Sequence, residues 1–330
     1  MKETLNKLTL HKTLSRSEAK EILINISKGD YNNSQVASFL TVFMIRDITL
    51  NELEGFKEAL LELCISVDLS DYNTIDLCGT GGDNKDTFNI STLSAFVTAG
   101  AGIKVAKHGN YGVSSSCGSS NVMENLGIKF SNNEDYLRKC IEKSGICILH
   151  APLFHPAMKH VAPIRKELGL KTFFNMLGPL VNPSFPKNQI VGVFSLELAR
   201  VYAYLFQKTD KNFSIIHSLD GYDEISLTGG VKIISNGSEE ILYPEDFKLN
   251  KLESKSIIGG RSIKESAEIF MSVLSNQSTE SQKKVVVANS ALAISTSTGV
   301  SIEEGISRAK ESLNSKNALK AFNTLKKLSE

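Results

Sequence analysis

The residues best suited to chemistry begin with a glycine-rich turn that follows a short apolar run. The run, residues 75–78, predicts a buried strand, and residues 79–83 (Gly-Thr-Gly-Gly-Asp) follow it directly. The hydroxyl-rich start of a helix comes next, with Thr87, Ser91 and Thr92. Glycines let backbone N–H groups approach a phosphate, and the unpaired amides of a helix start favour negative charge. The stretch is therefore typical of a phosphate-binding site, although its glycines lack the spacing of a Walker loop or a dinucleotide site.

A second polar stretch adds a cation and more hydroxyl groups. Residues 107–110 (Lys-His-Gly-Asn) are followed by residues 114–120 (Ser-Ser-Ser-Cys-Gly-Ser-Ser). Lys107 can supply a point charge to a phosphate, and the serines can donate hydrogen bonds to its oxygens. A tight turn explains the glycine motif alone as well as a phosphate site does, but the two stretches together favour the phosphate site.

An acidic pair, Asp223-Glu224, lies in a polar segment after the apolar run 213–217. On a strand, adjacent carboxylates would point to opposite faces, whereas on a loop both can turn toward one cation. Mg²⁺ prefers one or two carboxylates together with waters and substrate phosphates. The pair therefore predicts a magnesium site shared with a bound pyrophosphate, with a solvated acidic turn as the alternative.

The elements that must position these residues follow from hydrophobic periodicity. After residue 71, helical stretches alternate with short apolar runs at residues 75–78, 103–106, 146–149, 189–194 and 213–217. This alternation predicts an α/β fold with a mostly parallel sheet and flanking helices. Ligands of such sheets bind beyond the carboxyl ends of the strands. We therefore expect the glycine turn, Lys107 and the acidic pair at one edge of the sheet. Further helices are predicted at residues 263–274, 285–295 and 303–313.

The first 70 residues predict helices alone. Ser15 with Glu18, and Thr49 with Glu52, have the spacing of capping boxes. The apolar stripe that begins at Val36 predicts core packing, with a subunit interface as the alternative. Prolines punctuate residues 152–183, where Pro156 suits a helix start and Pro163 should kink or end the helix. We predict two domains: a smaller all-helical domain, residues 1–70 joined by part of 155–185, and an α/β domain, residues 71–330.

Composition argues against several classes of protein. The chain has 330 residues and a net charge of +1, so neither a nucleic-acid surface nor a membrane surface is indicated. Its five cysteines are scattered and odd in number, which favours reduced thiols and a cytoplasmic location. The chain lacks an apolar run of about 18 residues, and its start lacks the apolar core of a signal peptide.

Together these motifs resemble the anthranilate phosphoribosyltransferase family of tryptophan biosynthesis. The matching segments occur in the family order and span most of the chain: residues 79–83, 89–92, 107–110, 155–165, 174–183 and 221–229. The resemblance implies the nucleoside phosphorylase/phosphoribosyltransferase-like fold, with residues 71–330 as the phosphoribosyl-pyrophosphate-binding domain. It also implies a homodimer formed through the N-terminal helices.

The resemblance further implies the reaction and the residues that serve it. Phosphoribosyl pyrophosphate would donate its phosphoribosyl group to the amine of anthranilate, with Mg²⁺, two ions per subunit, on the leaving pyrophosphate. The implied donor-binding residues are Gly79, Gly82, Asp83, Thr87, Asn89, Ile90, Ser91, Thr92, Lys107, His108, Gly109, Asn110, Ser114, Ser115 and Ser119. The implied anthranilate-binding residues are Gly79, Asn110 and Arg165, and the implied metal ligands are Ser91, Asp223 and Glu224.

The chemistry of this reaction needs little from any single residue. Displacement at the anomeric carbon passes through an oxocarbenium-like state, so placement of the substrates and neutralisation of the pyrophosphate should dominate. We expect no single catalytic nucleophile, with positioning by Lys107, His108, Asn110 and Arg165. His155 and His160 are interpreted as structural.

Departures and alternatives complete the sequence-based expectations. Tyr111, Asn121 and Lys171 stand where the family usually has arginine, aspartate and arginine. One alternative is a related glycosyl transfer of the pyrimidine nucleoside phosphorylase type, which would need no acidic magnesium pair. Another is a non-catalytic relative that binds nucleic acid, against which the near-neutral charge argues.

Overall fold

The computed structural model describes residues 1–112 and 117–330. The chain divides into two compact units, one of residues 1–67 with 151–183 and the other of residues 68–150 with 184–330. The helices are α1 (Lys2–Thr9), α2 (Arg16–Lys28), α3 (Asn33–Ile45), α4 (Leu50–Glu62), α5 (Ile90–Gly100), α6 (Ser119–Asn125), α7 (Glu134–Ser144), α8 (Ala151–Phe154), α9 (Ala162–Leu168), α10 (Phe174–Leu177), α11 (Leu196–Gln207), α12 (Ile263–Leu274), α13 (Glu280–Thr298), α14 (Ile302–Asn314) and α15 (Asn317–Ser329). The strands are β1 (Ile75–Gly79), β2 (Val105–Gly109), β3 (Ile146–His150), β4 (Asn188–Gly192), β5 (Asn212–Ser218), β6 (Val231–Ser235) and β7 (Ser238–Leu242).

The larger unit is built on a seven-stranded sheet in the order β3-β2-β1-β4-β5-β6-β7. Strands β1 to β5 pair in parallel, whereas β6 and β7 are added antiparallel at one end. Helices α5 and α13 pack on the central strands, and α13 is buried along residues 285–294. The mostly parallel sheet predicted from the alternating runs is confirmed.

The register of the parallel strands aligns their carboxyl ends. Gly79 at the end of β1 pairs with Gly192 at the end of β4, and Gly109 at the end of β2 pairs with His150 at the end of β3. Since the last residues of neighbouring strands are partners, the loops that follow these strands leave the sheet side by side. This alignment gathers the residues predicted to bind the donor.

The smaller unit is helical and has its own aromatic core. The rings of Phe39, Phe43 and Phe56 cluster with Phe173, which stacks on Phe56 with ring centroids 4.4 Å apart. Helices α2 and α4 can approach closely at Gly55, where an added Cβ would lie 2.3 Å from a backbone oxygen. Residues 1–67 and 151–183 therefore share one packed core, because Phe173 lies in the second segment.

Local hydrogen bonds define several helix ends of this unit. The capping boxes predicted at Ser15 with Glu18 and at Thr49 with Glu52 are both present. Glu52 is fully buried, where it accepts from the backbone N–H of Leu14 at 2.9 Å and forms an ion pair with Arg46. Each predicted cap thus fixes where a helix begins.

Several predicted boundaries were wrong. Helix α5 begins at Ile90 rather than at Thr87, because Thr87 forms an isolated bridge with Ile258. Strand β2 continues through Lys107 and His108, which pair with β3, instead of ending at residue 106. Pro163 lies in the first turn of α9, where a missing N–H costs nothing, so it does not end the helix.

Over residues 1–112 and 117–330, no single helix is both long and apolar enough to cross a membrane. Helices α13 and α14 satisfy the length and composition only as a joined pair, and that pair is bent by 119°.

The buried imidazole of His155 predicts acid sensitivity. Burial lowers the pKa of His155 to about 4, so the folded state favours the neutral ring. The unfolded chain takes up a proton near the ordinary pKa of about 6.5, and stability should therefore fall as the pH falls from there toward 4. We expect a loss of about 2 kcal/mol in the free energy of unfolding between pH 7 and pH 5 from this group.

Urea denaturation at both pH values should show a smaller loss for His155→Gln than for the wild type. The exposed His11, changed to Gln, provides the matched control substitution. Parallel stability profiles for wild type and His155→Gln would contradict the prediction.

Candidate functional site

The two carboxylates at residues 223 and 224 are held by backbone N–H groups of the glycine turn and of α5. The N–H of Gly81 donates to Asp223 Oδ2 at 2.8 Å, and the N–H of Ser91 donates to Glu224 Oε1 at 2.9 Å. Thr87 Oγ1 donates to Glu224 Oε2 at 3.3 Å. The loop after β5 therefore meets the turn after β1 and the start of α5, as the sheet topology predicts. A helix N-terminus favours a carboxylate in this place.

Charge is concentrated where these segments meet. Burial, together with the negative charge of Asp83, raises the pKa of Asp223 to about 7. Burial also raises the pKa of Glu224 well above its ordinary value, with added repulsion from Asp223 and Asp83. Carboxylates that converge in this way would ionise more readily beside a cation, because an opposite charge favours the charged form.

The donor set fits magnesium better than a metal enclosed by protein ligands alone. Within residues 1–112 and 117–330, no cluster of three or more His, Cys, Asp or Glu side chains could hold a metal by itself. A pair of carboxylates that leaves positions for waters and phosphate oxygens matches the preference of Mg²⁺. Asp223 and Glu224 would hold the ion. The hydroxyl of Ser91 belongs to the same residue whose backbone N–H donates to Glu224.

Glycine is required where the acidic loop passes the strand ends. A Cβ on Gly192 would lie 1.5 Å from the carbonyl oxygen of Asp223, and a Cβ on Gly79 would lie 2.3 Å from Asp223 Oδ2. Gly81 and Gly82 have φ values of 64° and 84°, in the left-handed region that side chains disfavour. The glycine turn therefore serves close approach and backbone shape at once.

Lys107 lies beneath the turn. Its side chain is 2% exposed, and its Nζ donates to the carbonyl oxygen of Leu77 at 2.5 Å. Burial lowers the pKa of Lys107, while the negative charge of Asp76 opposes that shift. Asp76 is fully buried and accepts from the N–H of His108 at 3.1 Å.

Asp76 was missed as a site residue by the sequence reasoning. The available signal was its position as a charged residue inside an apolar strand run, because buried charges persist only when they are paired. Its partners show what it does: it fixes the backbone at His108 and partly balances the charge of Lys107. It therefore supports the positions of two residues of the predicted donor site.

The loop after β2 is tied to α6. Ser119 Oγ donates to the carbonyl oxygen of Asn110 at 3.2 Å, and an added Cβ on Gly109 would lie 2.5 Å from that hydroxyl. Asn89 Nδ2 donates to the carbonyl oxygen of Cys117 at 3.2 Å, which connects this loop with α5. Most of the predicted donor residues are thus neighbours at the carboxyl ends of β1 and β2. Ser114 and Ser115 lie outside the described residues.

Two predicted donor residues can contribute only main-chain atoms here. The side chains of Ile90 and Thr92 are 0% and 1% exposed, because they face the core from the first turn of α5. Any ligand contact at these positions would therefore involve backbone N–H groups of the helix start.

The two departures near this loop have structural partners. Asn121 Oδ1 accepts from the N–H groups of Gly112 and Gly118, each at 3.0 Å. Tyr111 packs its ring edge-on against His150 with centroids 4.8 Å apart, and its hydroxyl donates to Glu124 at 3.3 Å. An amide oxygen thus holds the backbone at Gly112 and Gly118, while ring packing and a hydrogen bond to a carboxylate hold Tyr111.

Arg165 belongs to the smaller unit and is held there by neutral groups. Its Nη2 donates to Asn175 Oδ1 at 3.1 Å, and its guanidinium lies over the ring of Phe174, 5.3 Å from the centroid. Within the described residues it forms no ion pair, and its buried Nε has no hydrogen-bond partner. Burial lowers the pKa of Arg165 to about 10. A desolvated guanidinium with a free donor is a receptor for a carboxylate.

Asn175 is a second residue that the sequence reasoning left unassigned. Its Oδ1 also accepts from the N–H of Thr172 at 3.2 Å, so the amide orientation is fixed by two donors. A neutral acceptor orients the guanidinium of Arg165 without cancelling its charge. This role is apparent only from the three-dimensional structure, because Arg165 and Asn175 are separated by ten positions in an irregular segment.

Known proteins share the sequence and the domain order of this chain. The helical bundle domain of a glycosyl transferase family matches residues 2–64, and the a/b domain of that family matches residues 71–319. An anthranilate phosphoribosyltransferase of Flavobacterium psychrophilum is 70% identical over 296 residues, which cover 90% of each chain.

Solved structures agree with the sequence relatives. The crystal structure of anthranilate phosphoribosyltransferase from Thermus thermophilus superimposes with a TM-score of 0.90 at 30% identity, covering 98% of both chains. The Saccharomyces cerevisiae enzyme in complex with PRPP and Mg also gives a TM-score of 0.90, at 31% identity over 98% of this chain and 96% of that one. On the matched sequence, domain order and fold, the chain belongs to the anthranilate phosphoribosyltransferase family.

Proposed function

We infer that the protein transfers the phosphoribosyl group of phosphoribosyl pyrophosphate to the amine of anthranilate. The products are N-(5-phosphoribosyl)anthranilate and pyrophosphate, in a step of tryptophan biosynthesis. The observation that carries this inference is the placement of Asp223 and Glu224 against the amides of Gly81 and Ser91, because it joins a cation site to a phosphate site. Anthranilate is inferred as the acceptor because the similar proteins are anthranilate phosphoribosyltransferases.

We propose that the donor binds along the carboxyl ends of β1 and β2. Amides of the glycine turn and of the α5 start, together with hydroxyls and Lys107, are ligands suited to a polyanion. The donor-binding residues in this proposal are Gly79, Gly82, Asp83, Thr87, Asn89, Ile90, Ser91, Thr92, Lys107, His108, Gly109, Asn110, Ser114, Ser115 and Ser119.

Magnesium would be held by Asp223, Glu224 and Ser91. When bound, it would neutralise charge on the leaving pyrophosphate. A yeast relative has been solved with PRPP and Mg, which supports this choice of metal. We propose two ions per subunit, because Asp83, Asp223, Glu224 and a pyrophosphate together carry more negative charge than one divalent cation balances. Calorimetric titration with magnesium pyrophosphate would count the ions, and a single-ion endpoint would contradict this number.

The acceptor is proposed to be held by Arg165 through its carboxylate, with Gly79 and Asn110 as further contacts. The neutral amine attacks the anomeric carbon as the carbon–oxygen bond to pyrophosphate breaks, and the amine then releases its proton to solvent. Lys107, His108, Asn110 and Arg165 position the substrates in this scheme, and none forms a covalent bond to them. The nucleoside phosphorylase and nucleic-acid alternatives are not favoured, because the relatives named are anthranilate enzymes.

The function is tested directly by following anthranilate fluorescence. Purified protein with Mg²⁺, anthranilate and phosphoribosyl pyrophosphate should consume the fluorescence and release pyrophosphate. Changing both Asp223 and Glu224 to Ala should lower the rate at fixed magnesium by at least about 100-fold, since hydrogen-bonded charges in such sites contribute several kcal/mol. Glu253→Ala, on an exposed carboxylate, is the control. Phosphorolysis of a nucleoside without loss of anthranilate would overturn the inference.

The neutral surroundings of Arg165 generate a second test. Arg165→Ala should raise the KM for anthranilate about 10- to 100-fold, because a charge-assisted hydrogen bond to the carboxylate is lost. Asn175→Asp should raise the same KM about tenfold without lowering stability, because the new carboxylate would pair with the guanidinium. Steady-state kinetics with each substrate varied would measure both effects.

Lys166→Ala changes the adjacent exposed cation and serves as the matched control. The control should leave the KM for anthranilate within about twofold of the wild type, as exposed charges contribute little. If Arg165→Ala affects only the KM for the sugar donor, the acceptor assignment is wrong.

We also propose a homodimer formed through the N-terminal helices. Leu10 and Ile45, at the ends of α1 and α3, are 69% and 77% exposed, and these two helices pack against each other. Exposed apolar side chains on a small helical unit are typical of an interface. Ile45→Asp should shift the protein toward monomer in sedimentation experiments at micromolar concentration, whereas Leu170→Asp, at another exposed apolar site of the same unit, should not. A wild-type monomer would contradict the proposal.

Domain roles and location complete the proposed function. We propose that the helical domain consists of residues 1–70 with part of 155–185, and that residues 71–330 bind phosphoribosyl pyrophosphate. A cytoplasmic location is supported by the cysteines, all five of which are free thiols in the structure. Fractionation of cells that express the protein would test the location.

A further inference from the structure

A polar side chain lies in the middle of the most buried helix of the larger unit. Asn289 is 6% exposed and is surrounded along α13 by buried residues, from Val285 to Ile294. An amide in such a place is costly unless its donors and acceptor are all paired. Its hydrogen bonds therefore show why an asparagine can occupy this position.

The amide of Asn289 pairs with both polar main-chain atoms of one residue. Its Oδ1 accepts from the N–H of Ile225 at 3.0 Å, and its Nδ2 donates to the carbonyl oxygen of Ile225 at 2.9 Å. Nδ2 also donates to the carbonyl oxygen of Val285, one helical turn earlier, at 2.9 Å. The two bonds to Ile225 fix its position and orientation, and the third fixes the side chain of Asn289 itself.

Ile225 directly follows the acidic pair. Ser218 Oγ donates to the carbonyl oxygen of Glu224 at 2.6 Å, so the main chain on both sides of that carbonyl is held. The carboxylates extend from this fixed segment to the amides of Gly81 and Ser91. A small cavity is lined by Asn289 together with Ser91, Asp223 and Glu224, which places the amide beside the groups it would position.

We propose that Asn289 is a positioning residue that fixes the acidic pair for the cation and the pyrophosphate it carries. The proposal rests on the proposed function, because it assigns the pair to magnesium binding. Two adjacent like charges repel, and only a fixed main chain keeps both directed at one ion. Asparagine suits the task because Ile225, 1% exposed, offers a donor and an acceptor that water cannot reach.

Substitutions separate this role from general support of the core. Asn289→Asp keeps an acceptor for the N–H of Ile225 but loses both donated hydrogen bonds, whereas Asn289→Ala loses all three hydrogen bonds. Ser290→Ala is the matched control: Ser290 is fully buried on the same helix and donates to the carbonyl oxygen of Val286 at 2.7 Å, away from the acidic loop. Asn289→Ala is expected to lose more thermal stability than the control, because it removes three buried hydrogen bonds, whereas Ser290→Ala removes those to Val286 and Ser94.

The magnesium dependence of the rate is the first measurement. Asn289→Ala and Asn289→Asp should raise the magnesium concentration for half-maximal rate about tenfold, while the rate at saturating magnesium stays within about threefold of the wild type. Ser290→Ala should leave the half-maximal concentration unchanged. Calorimetric binding of magnesium pyrophosphate without anthranilate should weaken by the same factor in the two Asn289 variants, in the absence of any turnover.

Amide hydrogen exchange in the wild type keeps the proposal testable if the variants do not fold. The N–H of Ile225 should exchange slowly before any ligand is added, because the segment is fixed in advance. Rapid exchange that slows only with magnesium pyrophosphate would overturn the proposal. So would an unchanged magnesium dependence in variants that fold. If the wild-type protein does not consume anthranilate, or consumes it without magnesium, the proposed function is overturned instead.

Discussion

Two adjacent carboxylates that repel each other are held in place by main-chain N–H groups, and much of the larger unit serves that arrangement. Asp223 and Glu224 each accept from an amide on a different segment, one from the glycine turn and one from the start of α5. The segments can meet because β1 and β4 run in parallel and end in register, while β5 runs parallel to β4 and continues past its last residue. The sheet therefore fixes the positions of the two carboxylates, which would otherwise move apart.

The same constraint explains the distribution of polar residues beneath the site. Buried Asp76 and Lys107 lie on neighbouring strands, below the turn that would take the phosphate. Each charge reduces the cost of burying the other, so the strands can carry polar groups up to their ends. In the smaller unit, by contrast, the guanidinium of Arg165 contacts neutral groups, the amide of Asn175 and the ring of Phe174. It therefore keeps its full charge.

Much of the larger unit could be predicted from local patterns. Apolar runs and their spacing indicate its parallel strands, and in the smaller unit the capping boxes at Ser15 and Thr49 locate two helix starts. Strands β6 and β7 were not predicted, because β7 is a largely exposed strand of sequence Ser-Glu-Glu-Ile-Leu without alternation. The last residues of β2 were assigned to a loop because Lys107 and His108 are polar, although pairing with β3 makes them strand.

The limit of prediction from local sequence patterns is clearer at the candidate functional site. The motif residues at 79–83 and 223–224 were identified because glycines and paired acids signal their chemistry. Asp76 carries only a weak signal, a charge inside an apolar run, whereas the roles of Asn175 and Asn289 depend on partners that only the folded structure identifies. An asparagine that pairs with main-chain atoms 64 positions away cannot be recognised from composition or periodicity.

The crossing of the acidic loop over the end of β4 has a consequence for sorting distant sequences. Position 192 has no room for any side chain, because a Cβ there would coincide with the carbonyl oxygen of Asp223. Position 229, by contrast, leaves 3.8 Å to its nearest neighbour and admits alanine. Adjacent acids occur in many surface turns, whereas a glycine at the end of the fourth strand is demanded by this crossing alone. That glycine is consequently the sharper marker of a chain that carries the same loop.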